Sequence, residues 1–494
     1  MSEPGSSRDP RDELIDQLRA ENTGLRADNQ RLRAENKDLA GRLTRLERLI
    51  SRNSANPSMP PSLDDLPGRT PPVPRPPGGI KRGKGKQRGA PGAALSPVEH
   101  PARRVPAYPE RCGGCQASLD PLVHEAAGML ARQQIDVPLV TATVTGYQLH
   151  SLRCGCGHVT RAELPAGVAD APISIGPNLQ TLAVYLLVVH AIPVERTCQV
   201  IADLTGAQLS SGFVHGMLAR ATALLEGFET LTKMLIILAY VVHFDETTLR
   251  AGGKGAKQYV WTASTTLYTS YYLGDRSGAS FRASGIGPNL SGGVIVHDRL
   301  DLYDRQAPAG VSHQLCGSHL VRDLDSAAED YPGAHWPTQA RRAMLALNNA
   351  AHAARASGAG HIPAAILDKH TLDLRRAVRV GLAQIPRRPG PRSSTRQHPG
   401  RCLLEVFRDR EHDVLRYARD LRVPFTSNLA ERDLRPWKTV QKISGRLQSS
   451  TATKHRLTIR GYISTAIKHG LDAMTVLRNA ILGTPWMPPI PMII

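Results

Sequence analysis

A seven-residue rhythm opens the chain. From Asp12 to Ile50 leucine returns at Leu18, Leu25, Leu32, Leu39 and Leu46, beside a second series of Ile15, Asn22, Asn29, Asn36, Leu43 and Ile50. A heptad sustained over five repeats without proline predicts a coiled coil over 12–50. Each asparagine at the a position buries an amide at a cost, and the same amide across a parallel two-stranded seam satisfies it best. The pattern therefore predicts a parallel homodimer. One long amphipathic helix packed on its own protein is the alternative, but the Leu/Asn seam is too narrow for a globular face.

Residues 1–11 are expected to be disordered, and after Ile50 the periodicity disappears. Fourteen prolines fall between Pro57 and Pro109, followed within that span by a basic, glycine-rich run carrying Lys81, Arg82, Lys84, Lys86 and Arg88. A segment of this composition (51–107) cannot build a core and is expected to be extended. Its cations could lie along phosphates and order on binding; a solvated linker with incidental charge is the plainer reading.

Order resumes at 108–165. Ile135–Val144 and Tyr147–Leu152 are rich in β-branched and aromatic residues and read as strands. They lie between Cys112-Gly-Gly-Cys115 and Cys154-Gly-Cys156, two turns that can each aim a pair of thiolates at one ion. Four thiolates make a closed tetrahedral site, the arrangement of structural Zn²⁺, so a small zinc ribbon is predicted, with His158 able to replace one thiol. Four reduced, metal-free cysteines are the alternative. Cys198, Cys316 and Cys402 stand alone and read as small buried hydrophobes.

Helical spacing follows in 170–230, over Leu179–Val189, Val194–Leu204 and Gly212–Leu225. The last two are separated by a Gly-containing turn in which Ser210 or Ser211 can cap the next helix. That outline fits a DNA-reading helix-turn-helix, and two packed core helices would look the same. From Met234 to Phe244 an apolar run reads as a buried strand delivering Asp245 at its end. Tyr259–Thr265, Tyr268–Leu273 and Gly293–Asp298 read as further strands, the last ending in its acid. Glu431 lies on a helix that Asn428 can cap, flanked by Arg432 and Arg435. Two strand-end aspartates and a helix glutamate on one sheet could hold two Mg²⁺ (or Mn²⁺) ions about 4 Å apart, the arrangement used for in-line phosphoryl displacement.

Composition narrows the classes. The chain has 494 residues, 41% hydrophobic, with 62 Lys+Arg against 43 Asp+Glu, a net charge of +19. That length supports several cores without disulfides, and the positive surplus favours a polyanionic partner, nucleic acid before a membrane surface. No apolar run approaches the roughly 20 residues needed to span a bilayer, and Met1-Ser-Glu-Pro-Gly lacks the apolar core of a signal peptide. An intracellular protein without a membrane partner is expected.

The order of these features is specific. The zipper, Asn53-Ser-Ala-Asn-Pro-Ser-Met-Pro-Pro-Ser, the basic stretch, the Cys pairs, His243-Phe-Asp-Glu-Thr247, Asn428-Leu-Ala-Glu-Arg-Asp-Leu-Arg-Pro436, Gln441-Lys-Ile-Ser-Gly-Arg446 and Arg460-Gly-Tyr-Ile-Ser-Thr-Ala-Ile-Lys-His-Gly470 resemble the transposases of the insertion sequence 66 family over about 12–488. The resemblance implies a DDE enzyme with Asp245, Asp298 and Glu431 as catalytic acids. It implies double-stranded DNA as partner, both element ends and target, in a bacterial, cytoplasmic, nucleoid-associated setting, with accessory proteins of the same element as further possible partners. Tyr303 stands where the family pattern Asp-Gly-Tyr-x-x-Tyr ends, but Arg299-Leu300 replaces Gly-Tyr, leaving Asp301 as a fallback second acid. His319 matches a family stretch and could contact phosphate, while Lys438 and Lys442 extend the track begun by Arg432 and Arg435. His313, Cys316 and His319 could imply a second metal, though three ligands so spaced make a poor site.

The whole reads as a multidomain chain: N-terminal parallel coiled coil, small zinc ribbon, helical DNA-binding segment, and α/β ribonuclease H-like catalytic domain (234–330 and 401–475). A helical insertion (331–400) interrupts that domain and could cover the catalytic groove; a tail (476–494) follows. The rival readings are a zinc-containing dimeric DNA-binding regulator without catalysis, and a ribonuclease H-like nuclease that cuts without joining.

Overall fold

The computed structural model of the chain describes residues 19–33, 35–36, 97–137, 140–165, 168–253, 255–256, 258–390 and 397–490. Lys81, Arg82, Lys84, Lys86 and Arg88, and most of the heptad stretch, lie outside the described residues. Within that stretch, 19–33, 35 and 36 are helical, and the d-series Leu25 and Leu32 are exposed in the single chain.

Two compact units emerge, Pro74–Thr143 and Met1–Val73 with Val144–Ile494. In the first, a knuckle forms around Cys112 and Cys115: Arg111 bridges Ser118, and Cys112 N–H donates to Ala117 O at 2.8 Å. Among the described residues of 135–144 no strand forms, contrary to the sequence expectation. The second unit begins with a short antiparallel hairpin, β1 (Ser151–Arg153) and β2 (Val159–Arg161). Its turn holds Cys154 and Cys156, closed by Cys154 N–H donating to His158 O and by Gly157 at φ +89°, a conformation that favours glycine. The strand expected at Tyr147–Leu152 is thus confined to Ser151–Arg153.

The predicted helices follow as α1 (Pro177–Val188), α2 (Val194–Thr205) and α3 (Ser211–Ala223). Pro177 starts α1 where its missing N–H is harmless, Gly206 at φ 76° ends α2, and Ser210 Oγ caps α3 by accepting from Phe213 N–H. Then α4 (Glu226–Ile237) replaces the first half of the expected strand. Phe228, Thr232, Leu235 and Ile236 form its buried face, a helical spacing that reaches back before Met234 and was hidden by the apolar run.

Five strands make the main sheet: β3 (Val241–Leu249), β4 (Gln258–Ser264), β5 (Thr269–Gly274), β6 (Val294–His297) and β7 (Ser312–Leu315). Their order is β5-β4-β3-β6-β7, with β3, β4 and β5 antiparallel and β3, β6 and β7 parallel. Short helices α5 (Gly278–Ala283) and α6 (Asp301–Gln306) join α4 on one face, around Phe244, Trp261, Phe281, Ile295 and Tyr303. On the β6 side of the other face, Val294 and Val296 share a core with α7 (Gly317–Asp330), α8 (Trp336–Ala356), α9 (Ala364–Gln384) and α10 (Pro399–Asp409). The helices expected as an insertion are therefore continuous with the core of the sheet.

Next to them, α11 (Asn428–Ile443) lays Leu434, Trp437 and Val440 against Val260, Tyr271 and Leu273. Ser427, not Asn428, occupies its cap position, and no side-chain cap bond forms there. Helix α12 (Ser450–Lys468) contributes Ile459, Tyr462 and Ile463 to one core with α1, α2 and α3, joined by Val476 and Leu477 of α13 (Ala473–Ile481). Helix α13 runs into the segment read as a tail. No described helix is long and apolar enough to cross a membrane.

Candidate active site

Parallel pairing of β3 with β6 matches His243 with Val296. Two residues further along β3 comes Asp245, which alternation sends toward the face that α11 covers, and Asp298 stands at the matching position just beyond the end of β6. Asp245 is not at a strand end as expected. It lies inside β3, opposite Thr262 of β4, because β3 continues its antiparallel pairing to Leu249 after β6 has stopped. Its carboxylate thus sits where the sheet loses a neighbour on one side. Asp298 follows β6 directly and accepts from Leu300 N–H at 2.8 Å. Glu431 arrives from the first turn of α11. The fallback Asp301 is instead exposed on α6, paired with Arg305.

Electrostatics tie the three acids together. Burial, the adjacent Glu246 charge, and then the charges of Asp298 and Glu431 push the Asp245 carboxyl up to about 7. Its hydrogen bond comes from Glu246 N–H to Oδ1 at 2.9 Å, and among the described residues no cation pairs with it. Crowded hard oxygens, one of them buried without a counter-charge, are a donor set that fits divalent cations such as Mg²⁺ or Mn²⁺.

Nothing in the sequence singles out Glu246. Alternation turns it to the opposite face, where its buried carboxylate accepts from Tyr303 OH at 2.6 Å and from Arg276 Nε at 2.9 Å. Tyr303, fully buried, thereby ties α6 to β3 directly behind the acids. A second unanticipated group is Asp433. Its Oδ2 accepts from Ser264 Oγ at 2.6 Å, Thr269 Oγ1 at 2.9 Å and Lys468 Nζ at 2.7 Å, and its carbonyl accepts from Tyr271 OH at 2.6 Å. Two residues after Glu431, α11 is thus pinned to β4, β5 and α12.

The third group is Cys316, read from the sequence as a small buried hydrophobe or, less readily, as a metal ligand with His313 and His319. It is buried, but Ser427 N–H donates to its Sγ at 3.2 Å and Ser318 Oγ lies at 3.0 Å. Burial alone would raise the thiol; the neighbouring His319, with Ser318 and Ser427, brings it down to about 6. Sγ of Cys316, a ring nitrogen of His319 and a carboxylate oxygen of Glu431 lie within 4.8 Å of one another. His313 is absent from this group. It faces His297 Nε2 at 3.0 Å and Asp304 Oδ1 at 3.3 Å, and Arg410 grips both Asp304 oxygens at 2.7 Å. That bidentate guanidinium makes the His297–Asp304–His313 cluster an internal polar network rather than an ion site.

Arg432, Arg435, Lys438 and Lys442 are all exposed on α11. Arg435, Lys438 and Lys442 continue the stripe of Glu431 at helical spacing, while Arg432 lies beside it. Each cysteine pair forms its own tight turn, and hydrogen bonding within the turn lowers the thiols of Cys112 and Cys154.

The sheet is mixed and clothed in helices, and the charges of acids from three of its elements act on one buried carboxylate, that of Asp245. Residues 173–455 match the Transposase IS66 family, and the chain belongs to it. Residues 2–96 match a family of unknown function (DUF6444). No curated protein matches the chain.

Proposed function

We propose that the chain is a DNA transposase that cuts at the ends of an insertion sequence and joins the freed ends to target DNA. Asp245, Asp298 and Glu431 would hold the catalytic ions. In the first step water attacks the phosphorus at an element end and the P–O3′ bond breaks, leaving a 3′-OH on the element. In the second, that hydroxyl attacks a target phosphorus and displaces the target's own 3′ oxygen, so no covalent protein–DNA bond is needed. Divalent cations bound there would neutralise the charge developing on the phosphoryl oxygens and acidify the attacking hydroxyl. The protein's part is positioning: β3 and β6 fix two carboxylates, and α11 brings the third. Arg432, Arg435, Lys438, Lys442 and His319 would receive backbone phosphates.

The observation that carries this reading is the convergence on Asp245 of charges from Asp298 and Glu431, 53 and 186 positions away in the chain. The sheet order, three antiparallel strands followed by two parallel ones, supports a ribonuclease H-like domain. The cysteine pairs support structural Zn²⁺ on Cys112, Cys115, Cys154 and Cys156, and exposed Leu25 and Leu32 suit a homodimer seam. The test is an end-cleavage and strand-transfer assay using a pre-nicked end bearing a 3′-OH and a plasmid target with Mg²⁺. Joined product supports transposition, cutting alone supports a nuclease, and binding without either supports a regulator. Asp245→Asn should bind DNA and yield no joined product; strand transfer that survives the change removes Asp245 from the site.

A further inference from the structure

Glu431 has neighbours that a hard-cation site does not require. Its Oε1 lies 4.0 Å from Nδ1 of His319 and 3.7 Å from Nη2 of Arg322. Among the described residues that buried Nδ1 has no hydrogen-bond partner of good geometry, although the ring interacts with the Cys316 thiol beside it. An orphaned buried nitrogen is costly unless something else takes its lone pair or proton. Cys316 completes the group: it follows β7 at the N-cap of α7, and His319 lies in that helix's first turn, a Cys-x-x-His spacing that brings both donors to one side of the turn. A thiol, an imidazole and a carboxylate with one coordination position open form the donor mixture of a borderline-soft cation such as Zn²⁺, and Mg²⁺ does not compete for sulfur.

We propose that Cys316, His319 and Glu431 form a Zn²⁺ site whose occupation withdraws Glu431 from the hard-cation set, so that Zn²⁺ antagonises Mg²⁺ at this centre. The antagonism rests on the reading of Glu431 as a catalytic acid; the site itself does not. Arg322 is the group the ion would displace. The site is separate from the paired knuckles, because none of its ligands is shared with Cys112, Cys115, Cys154 or Cys156.

Equilibrium dialysis of the full-length protein against buffered Zn²⁺, read by elemental analysis, tests the site. Wild type should bind one Zn²⁺ per chain more than Cys316→Ser and one more than His319→Ala. His319 is half-exposed, so its variant keeps the test valid if the buried Cys316 change impairs folding. Equal zinc in wild type and a folded variant overturns the site, whatever DNA assays show. The antagonism is read separately, from Mg²⁺-dependent end cleavage titrated with Zn²⁺. Measured against the variant's own zinc-free cleavage, Cys316→Ser should raise the half-inhibiting Zn²⁺ concentration by roughly tenfold or more. An unchanged half-inhibiting concentration in that variant overturns the antagonism. A wild type that binds the extra zinc but never cuts DNA refutes the transposase reading and leaves the metal site standing.

Discussion

Asp245→Asn should make the magnesium-free protein more stable while removing its chemistry. In the native fold this carboxyl is raised from an ordinary 3.8 to about 7 by burial and by three neighbouring acids. An unfolded chain gives up that proton near pH 4, so between about pH 4 and 7 the folded state binds more protons than the unfolded one, and stability falls as pH rises. At 1.36 kcal/mol per pKa unit, the ionised form costs the fold about 4 kcal/mol above pH 7. Asparagine keeps the acceptor for Glu246 N–H and presents an amide donor to the surrounding carboxylates. The variant and wild type should therefore melt together near pH 4, separate up to about pH 7 and stay apart to pH 8. At about 2 °C per kcal/mol for a unit this large, the gap should reach ~8 °C, read by differential scanning calorimetry without added Mg²⁺. Adding Mg²⁺ should raise the wild-type melting temperature and leave the variant almost unmoved. Equal melting temperatures at pH 5 and pH 8, or a variant less stable at both, would refute the claim that crowded charge is stored at Asp245.

Asp433→Ala strips the half-buried Lys468 of its carboxylate, leaves Thr269 Oγ1 without its acceptor and leaves Ser264 only Thr262. Urea unfolding should show a loss of about 3–5 kcal/mol, and an unchanged midpoint would mean that the pair does not hold α11. Tyr303→Phe removes one donor to the buried Glu246 while Arg276 remains, so a loss of about 1–3 kcal/mol is expected in the same measurement. Replacing Arg435, Lys438 and Lys442 with alanine should weaken DNA binding uniformly across sequences and reduce the salt slope by about one for each phosphate no longer neutralised; fluorescence anisotropy at several salt concentrations checks this, and an unaltered slope takes the stripe off the DNA path. Cys154→Ser should release the zinc assigned to the paired knuckles, and undiminished zinc by elemental analysis would exclude Cys154 as a ligand.

The sequence made the sheet legible where apolar runs were short and bounded. Tyr259–Thr265 and Gly293–Asp298 fall within a residue of β4 and β6, and helices α1 to α3 begin and end within two residues of their expected bounds, α3 behind the expected serine cap. It misled where one apolar run crossed two elements: Met234–Phe244 continues a helix face begun at Phe228 and then enters β3, and only the longer window separates the two periods. The Cys316–His319 spacing was visible in the sequence, but the third member of their group was not: His313 turns away to His297 and Asp304, and Glu431, 112 positions beyond His319, takes its place only once α11 is packed. Glu246 and Asp433 were overlooked for a related reason. Each stands one or two positions from a conspicuous acid, and only strand alternation or helix phase reveals that it faces different partners.

Helix α12 has little free surface. Ile459, Tyr462 and Ile463 are locked among α1, α2 and α3, while Thr465 accepts from Thr269 N–H of β5 and Lys468 reaches Asp433. The place of α11, and with it the carboxylate of Glu431, is therefore set in part from outside the sheet: a single helix joins it to the α1–α3 bundle.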